Sequence, residues 1–430
     1  MRPTIGIDFG TTNTVVALGD GRGAATLVSF PVGEGEVVAF RSALSFQEPQ
    51  TGVRVVEAGP FAIEAYVEDP ADTRFIQSFK SYAASPLFTE TRVLGKRFTF
   101  EDLLSAFLFK LRDHAGAALE TLPPRVVVGR PVAFAGLQPN EALALTRYQT
   151  AFERFGFTDI AYAYEPVAAA FFFARQLTAD ATVLVADFGG GTSDFSLVRF
   201  ERGADGALRS IPLSNAGVGL AGDAFDYRII DNLVSPALGK GTSYSSFGKI
   251  LPVPNRYYAA FARWEQLALL RGSKTLAEIR RLVRQALDPD RIEKLVELLE
   301  ENHGYRLYQS VSALKEALSA DDTATFDFRA GSIVIEREVK RETFERWIAP
   351  ELAAMSGAVD EALARAGLTP DQVDKVFLTG GTSFVPAVRR LFADRFGEAK
   401  LEAGGELVSI ATGLALMAAE PDLETWTSRA

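Results

Sequence analysis

Residues 183–198 read Val-Leu-Val-Ala-Asp-Phe-Gly-Gly-Gly-Thr-Ser-Asp-Phe-Ser-Leu-Val. The apolar run before Asp187 predicts a buried strand, and Phe195–Val198 predicts the strand that returns from the turn. The glycines Gly189–Gly191 have no Cβ, so the backbone N–H groups of this turn can approach an anion closely. A carboxylate at a strand end can hold a hydrated Mg²⁺ or orient a water. The stretch therefore predicts a phosphate-binding turn, although no G-x-x-x-x-G-K-[ST] loop occurs in the chain.

A second copy of this pattern lies near the start of the chain, over Ile5–Leu18. The same order recurs there: a strand, Asp-Phe-Gly, a threonine and a second strand, with Asp8 in the place of Asp187. One glycine hairpin is a common structural turn. Two matched copies separated by a domain's length predict duplicated lobes that face each other across a cleft.

Length and composition describe a globular protein of more than one lobe. The chain has 430 residues, of which 47% are hydrophobic and 23% charged. Domains commonly run to ~100–200 residues, so at least two lobes with a sizeable core are expected.

The charge and the residue types that are rare exclude several classes of function. The net charge of −10 argues against a nucleic-acid partner, because such proteins normally present a basic face. The chain has no cysteine and only His114 and His303, which excludes disulfides, thiolate metal sites and histidine-based triads. No apolar run approaches the ~18 residues of a membrane span, and Asp8 interrupts the first apolar run too early for a signal peptide. We therefore expect no membrane association and a cytoplasmic location.

Periodicity predicts several further elements. A buried-face helix is expected over Glu101–Leu119, mainly helical structure over 240–320, a strand pair around Gly331 and one long helix over Arg341–Gly367. Gly217–Gly222 formally matches G-x-G-x-x-G, but the acid that a dinucleotide-binding site needs about 20 residues on fits only loosely. We interpret this stretch as a turn that leads into a helix.

Five segments resemble, in order, the nucleotide-binding unit of the actin, sugar kinase and DnaK-type heat-shock chaperone superfamily, and above all its DnaK-type branch. They are the first phosphate loop Ile5–Thr14, the first hinge segment Glu165–Ala170, the second phosphate loop Asp187–Asp194, the adenosine loop Leu378–Thr382 and the second hinge segment Ser409–Ala419. Each glycine turn alone is a weak signal, but their order and spacing cover almost the whole chain. The family's apolar linker and peptide-gripping β-sandwich are not expected here, so the chain resembles a truncated, YegD-like group of DnaK relatives.

The resemblance implies an α/β fold with two duplicated, ribonuclease-H-like lobes of the actin-like ATPase type around a central nucleotide cleft. Lobe I is expected over residues 1–180, with an insert at about 38–116, and a last helix at about 405–420 returns to it. Lobe II is expected over 181–404, with a mainly helical insert at about 223–340. Residues 421–430 are expected to form a short tail.

The resemblance also implies the role of each site residue. The implied catalytic residues are Lys80, Glu165, Asp187 and Thr192, and the carboxylates around a hydrated Mg²⁺ and neighbouring cations such as K⁺ are Asp8, Asp187 and Asp194. The implied nucleotide-binding residues are Gly10, Thr11, Thr12, Asn13, Gly189, Gly190, Gly191, Thr192, Lys315, Gly380, Gly381, Thr382 and Phe384. Lys80 lies one residue farther from Phe75 than the family pattern requires, so a surface lysine is the alternative interpretation.

The adenine end departs from the family pattern. Ser312 stands where a glutamate is usual, Glu316 where an arginine is usual, and Phe384 where an arginine normally stacks on adenine. Phe384 has two interpretations. Its ring stacks on the base in place of the arginine, or it begins the apolar face of the following helix, which continues with Val388 and Phe392.

The predicted function is Mg-ATP binding and slow ATP hydrolysis by a DnaK-type, chaperone-like protein in protein quality control or assembly. ATP or ADP is the expected nucleotide, and the client protein or co-chaperone is not identified. The alternatives are a small-molecule kinase of the same superfamily and a filament or scaffold protein of the actin or MreB type. A protein kinase is excluded, because Asp187-Phe188-Gly189 occurs without a His-Arg-Asp catalytic loop.

Overall fold

The computed structural model describes residues 3–48, 52, 54–69, 72–136, 138–174, 177, 179–202, 208–262, 274–301, 303–402, 408–420 and 423–428. Residues 405–407 of the predicted last helix and residues 421–422 and 429–430 of the predicted tail lie outside this set. The chain forms two compact units. The first comprises Met1–Ala221, Ala353–Phe384 and Val388–Ala430, and the second comprises Gly222–Leu352 with Val385–Ala387.

Strands are concentrated in the first unit. They are β1 (Thr4–Phe9), β2 (Asn13–Gly19), β3 (Ala25–Leu27), β4 (Phe30–Val32), β5 (Gly35–Val37), β6 (Phe40–Arg41), β7 (Ala43–Gln47), β8 (Val55–Ala58), β9 (Arg74–Gln77), β10 (Thr91–Val93), β11 (Lys96–Phe98), β12 (Arg125–Arg130), β13 (Asp159–Tyr164), β14 (Ala181–Phe188), β15 (Ser193–Arg202), β16 (Leu208–Val218), β17 (Ser243–Ser246), β18 (Lys249–Pro252), β19 (Thr323–Ala330), β20 (Ile333–Lys340), β21 (Lys375–Thr379) and β22 (Leu401–Glu402).

Helices occur in both units. They span Gly59–Glu68, Phe100–Ala115, Glu141–Phe155, Glu165–Ala174, Gly222–Ile229, Ser235–Ala237, Lys274–Val283, Pro289–Glu300, Gly304–Ala320, Arg341–Trp347, Ala349–Ala366, Pro386–Phe396 and Ser409–Met417. The helix Phe100–Ala115 corresponds to the predicted buried-face helix and begins at a capping box. In that box the Thr99 side chain accepts a hydrogen bond from the Asp102 N–H, and the Asp102 side chain accepts one from the Thr99 N–H.

Two sheets of the same topology confirm the predicted duplication. In the first, the order is β13-β12-β1-β2-β3, and in the second it is β22-β21-β14-β15-β16. Each sheet contains an antiparallel hairpin, β1–β2 or β14–β15. The first strand of the hairpin also pairs with a parallel strand (β12 or β21), and the second strand pairs with an antiparallel strand (β3 or β16). The strand β14 is buried along its whole length, as expected for a strand covered on both faces.

Two apolar helices cross beside these sheets at small residues. A Cβ on Gly413 would lie 1.7 Å from the Ala168 carbonyl oxygen, so the helices Glu165–Ala174 and Ser409–Met417 touch backbone to backbone. A Cβ on Gly6 of β1 would lie 2.4 Å from the Ala415 nitrogen. Glycine is therefore required at both positions, because any side chain would push the packed elements apart.

The second unit is mainly helical, and it differs from the prediction in two places. The hairpin β17–β18 was not predicted. The predicted strand pair around Gly331 is present as β19–β20. The prediction of a single helix over Arg341–Gly367 is wrong, because the structure has two helices separated at Ile348, where ψ is 3°. Pro350 accounts for the break, since it has no N–H to donate to the Arg346 carbonyl four residues earlier.

No helix in the described part of the chain is both long enough and apolar enough to cross a membrane.

Candidate functional site

The two predicted phosphate turns have the same backbone geometry. The Gly10 N–H donates to the Asn13 carbonyl at 3.0 Å, and the Gly189 N–H donates to the Thr192 carbonyl at 2.9 Å. Each turn therefore closes over three intervening peptide bonds. Two matched turns of this kind form concavities that suit anions such as phosphate oxygens.

The structure brings the two turns together within the first unit. A Cβ on Gly191 would lie 3.5 Å from the Thr11 hydroxyl oxygen, so the second turn lies directly against the first. Two hydrogen bonds from Ser42 hold the first turn. The Ser42 hydroxyl donates to the Gly10 carbonyl at 2.7 Å, and the Ser42 N–H donates to the Thr12 carbonyl at 2.9 Å.

The third glycine turn, Gly380–Thr382, packs on the second phosphate turn. Gly380 has a φ of +82°, and a Cβ there would lie 2.1 Å from the Phe188 carbonyl oxygen. The Thr382 hydroxyl donates to the Gly189 carbonyl at 3.3 Å. The predicted adenosine loop is thus continuous with the predicted phosphate site, and only glycine fits at position 380.

Asp194 distinguishes the second hairpin from the first. Asp187 pairs across its hairpin with Asp194, whereas Asp8 pairs with Val15, so one more carboxylate is present in the second copy. The carboxylate oxygen Oδ1 of Asp194 accepts hydrogen bonds from the N–H groups of Val132 and Ala133, at 2.7 and 3.1 Å.

The other oxygen of Asp194 fits a cation. Oδ2 is buried and makes no close hydrogen bond among the described residues, although hydrogen bonding by the Thr192 side chain to this carboxylate acts to lower its pKa. A buried carboxylate oxygen of this kind is costly unless a cation or a donor reaches it. Within the described residues, no three aspartate, glutamate or histidine side chains are placed to hold a metal ion directly.

Lys80 and Glu165 form a buried ion pair beside the aspartates. The Lys80 Nζ lies 2.7 Å from Glu165 Oε1, and the two side chains are 8% and 6% exposed. The alternative interpretation of Lys80 as a surface lysine is therefore wrong. Gly129 makes room for this arrangement, because a Cβ there would lie 3.2 Å from the Glu165 Cγ and 3.6 Å from Asp8 Oδ1.

The acidic groups of the site share an electrostatic environment that disfavours their charge. Burial and the neighbouring Glu165 carboxylate raise the pKa of Asp8 and of Asp194 to about 7 each. Burial also raises the pKa of Asp187 well above its usual range, with further contributions from Glu165, Asp8 and Asp194. Burial alone would lower the pKa of Lys80, but Glu165, Tyr148 and Asp8 outweigh it and keep the ammonium charged. Such a cluster is suited to binding a cation.

Arg147 holds the segment that follows Lys80. Its Nη1 donates to the carbonyl oxygens of Tyr82, Ala83 and Ser85, at 2.9, 2.8 and 3.2 Å, and its Nη2 donates to Phe88. Lys80 itself lies in the 3₁₀ turn Phe79–Tyr82. The guanidinium thus fixes the exit of the turn that presents the lysine.

The residues implied at the adenine end are placed in both units. In the second unit, Lys315 pairs with Asp226, with 2.6 Å between the Lys315 Nζ and Asp226 Oδ1. In the first unit, Phe384 is 58% exposed at the end of the 3₁₀ turn Gly381–Phe384. The interpretation that Phe384 begins the apolar face of the next helix is therefore wrong, although Val388 and Phe392 are fully buried.

Several residues of the site carry no recognisable sequence signal. Four of them hydrogen-bond to residues far away in sequence, and no periodicity marks them. They are the amides of Val132 and Ala133, the Ser42 hydroxyl and the Arg147 guanidinium. Gly217 did carry a signal, as the first glycine of the G-x-G-x-x-G match. In the structure it lies in β16 opposite Asp194, and a Cβ there would lie 2.5 Å from Asp194 Oδ1, so the glycine makes room for the carboxylate.

Comparison with known proteins assigns the chain to a family. The duplicated sheets with facing glycine turns are the features of the actin-like, two-lobed α/β fold. A family model described as Hsp70 protein matches residues 73–241 and 281–420. The chain belongs to the Hsp70 family.

Two relatives illustrate how far the similarity extends. The chaperone protein DnaK of Thermus thermophilus is 26% identical over 410 residues, which are 93% of this chain and 57% of that protein. The chaperone protein DnaK of Deinococcus radiodurans is 25% identical over 429 residues, which are 97% of this chain and 59% of that protein. The chain therefore spans less than two thirds of the length of these relatives.

Proposed function

We propose that this protein binds Mg-ATP at its two facing turns and hydrolyses it slowly, as a chaperone-like ATPase of protein quality control or assembly. One observation carries the proposal. A buried lysine–glutamate pair and three aspartates whose charge is disfavoured lie beside two matched glycine turns. Mg-ATP would supply both kinds of charge, because its phosphates suit the glycine turns and its metal ion suits the aspartates.

Each group has a role in this proposal. The N–H groups and hydroxyls of the two turns hold phosphate oxygens, and the Lys80 ammonium stabilises the charge spread over the transferred phosphoryl group. Glu165 orients the attacking water. Mg²⁺ would neutralise phosphate charge, and it usually keeps several of its waters. Asp8, Asp187 and Asp194 would hold the hydrated ion and neighbouring cations such as K⁺.

The family membership favours a chaperone ATPase over the other classes. A small-molecule kinase would need a substrate pocket with an aspartate that receives a hydroxyl proton, and nothing in the described residues marks one. A filament protein of the actin type would assemble in ATP, which light scattering detects. Client proteins, co-chaperones and the cytoplasmic location are proposals as well, since the chain matches only part of its relatives.

Mg-ATP should stabilise the protein. A ligand at ~100 times its Kd adds about 2.7 kcal/mol to the free energy of unfolding, which raises the Tm by several degrees. Differential scanning fluorimetry with ATP, ADP and GTP, each with and without Mg²⁺, measures this gain. An unchanged Tm at millimolar Mg-ATP would contradict the proposal, and GTP serves as the control for base selectivity.

Phe384→Ala should weaken ATP binding with little effect on the stability of the free protein. The ring is exposed, so its removal creates no cavity, whereas base–aromatic stacking is worth about 1–3 kcal/mol, or about 5–150-fold in Kd. Calorimetric ATP titrations beside denaturant melts measure the two quantities. Phe247→Ala, at a fully exposed phenylalanine of the second unit, is the matched control and should change neither. Equal ATP affinity of the Phe384 variant and the wild type would exclude stacking.

A further inference from the structure

Tyr148 carries a buried hydroxyl that the proposed function does not use. Its side chain is fully buried in the helix Glu141–Phe155, and its hydroxyl has no hydrogen-bond partner among the described residues. Five aromatic rings surround its own ring. They are Phe9, Phe100, Phe134, Phe152 and Tyr162, with ring centroids 5.9–6.4 Å away.

Two of these rings belong to neighbours of site residues, since Phe9 follows Asp8 and Phe134 follows Ala133, whose N–H donates to Asp194. Lys80, Glu165, Arg130 and Asp8 all act on the ionisation of Tyr148, and Lys80 has the largest effect of the four. Burial raises the pKa of Tyr148 above its usual range, so the hydroxyl stays protonated and able to donate. The ring is thus held by apolar contacts while the hydroxyl lies within electrostatic reach of the Lys80–Glu165 pair.

Tyr162, a second tyrosine in the same core, has a hydroxyl with a hydrogen-bond partner, and it serves as a comparison for Tyr148. Tyr162 is also almost completely buried, but its hydroxyl donates to Gln149 Oε1 at 3.1 Å. A buried hydroxyl with a partner is neutral or favourable for folding, whereas one without a partner costs free energy. A phenylalanine at position 148 would fill the same aromatic surroundings without that cost.

We propose that Tyr148 is a positioning residue of the phosphoryl-transfer site, where its hydroxyl and the Glu165 carboxylate together orient the attacking water. This inference rests on the proposed ATP hydrolysis. The hydroxyl donates to the water oxygen, and Glu165 accepts one of the water's protons as a hydrogen bond. The lone pair used for attack then points at the phosphorus. The Lys80 ammonium pairs with Glu165 Oε1 at 2.7 Å and holds the carboxylate in place for this role.

Tyr148→Phe tests the inference, with Tyr162→Phe as the matched control. For Tyr148→Phe we expect a kcat about tenfold lower, an unchanged Kd for ATP, and a Tm of the free protein that is equal or higher. For Tyr162→Phe we expect the opposite pattern, with an unchanged kcat and a lower Tm, because a satisfied hydrogen bond is lost. Single-turnover hydrolysis, calorimetric ATP titration and melts of the free protein measure the three quantities.

Each outcome bears on a distinct claim. A wild-type kcat in Tyr148→Phe overturns the role of the hydroxyl while leaving the proposed ATPase intact. A weaker ATP affinity without a change in kcat also overturns it, since the hydroxyl would then act on binding alone. If the wild-type protein hydrolyses no ATP, the proposed function fails first and the inference falls with it. The pattern of lower kcat with retained stability supports the inference, because a structural role cannot produce it.

Discussion

Asp187→Asn should lower ATP turnover by about 100-fold or more while the protein stays folded. The carboxylate lies at the end of β14, is 4% exposed, and faces Asp194 across the hairpin. An amide of the same shape cannot neutralise a cation, and the loss of one group that supports the charge of the transition state typically costs about 10²–10³-fold in rate. Steady-state phosphate release with saturating Mg-ATP measures the change. Thr192→Val should reduce turnover in the same assay, because it removes a hydroxyl that the proposed function places near the transferred phosphoryl group.

Asp187→Asn should also stabilise the free protein. The pKa of Asp187 is raised in the folded state, so the folded chain loses stability as the pH rises above the unfolded value of 3.8 and Asp187 ionises. Asparagine carries no such penalty, and the gain in Tm over the wild type should be larger at pH 8 than at pH 5, measured in EDTA. Asp20→Asn, at a fully exposed aspartate outside the site, is the control and should change neither turnover nor this pH dependence. Equal turnover of Asp187→Asn and the wild type would show that the metal assignment is wrong.

Lys80→Met should destabilise the free protein by about 3–5 kcal/mol. Removing one member of a buried ion pair leaves the other as an uncompensated buried charge, which is the costly way to break such a pair. Here the penalty falls on a whole cluster, because Lys80 is the group that lowers the pKa of both Asp8 and Asp187. Turnover should fall as well, since the variant loses the ammonium that the proposed function assigns to the transferred phosphoryl group. Urea melts at pH 8 give the free energy of unfolding.

Glu165→Gln should cost less stability than Lys80→Met, and this asymmetry tests the electrostatic account. Glu165 raises the pKa of Asp8, Asp187 and Asp194, so its removal relieves repulsion while Lys80 keeps the aspartates as partners. The double variant should be more stable than the sum of the two single effects predicts. Arg125→Met, which breaks the partly exposed 2.6 Å pair with Asp159, is the control and should cost about 1 kcal/mol or less. Equal costs for Lys80→Met and Glu165→Gln would contradict the clustering of negative charge around Lys80.

The sequence by itself determined the duplicated fold and the family. The two Asp-Phe-Gly hairpins, Ile5–Leu18 and Val183–Val198, are local patterns, because hydrophobic alternation and glycine turns act over a few residues. Their spacing, with the two hinge segments, is enough to predict two sheets of one topology. Local signals are weaker in the second unit, where periodicity predicts neither the hairpin β17–β18 nor the break of the helix at Ile348, close to Pro350.

Only the tertiary structure decided which groups of the site act on one another. It placed Lys80 against Glu165, and it turned the backbone of Val132 and Ala133 toward Asp194. It also showed that Phe384 is exposed rather than packed. These facts depend on contacts between segments that lie far apart in sequence, and the pKa of a buried carboxylate depends on every charge around it. Neither kind of information is contained in a local pattern, since both arise only when the sheets and helices pack together.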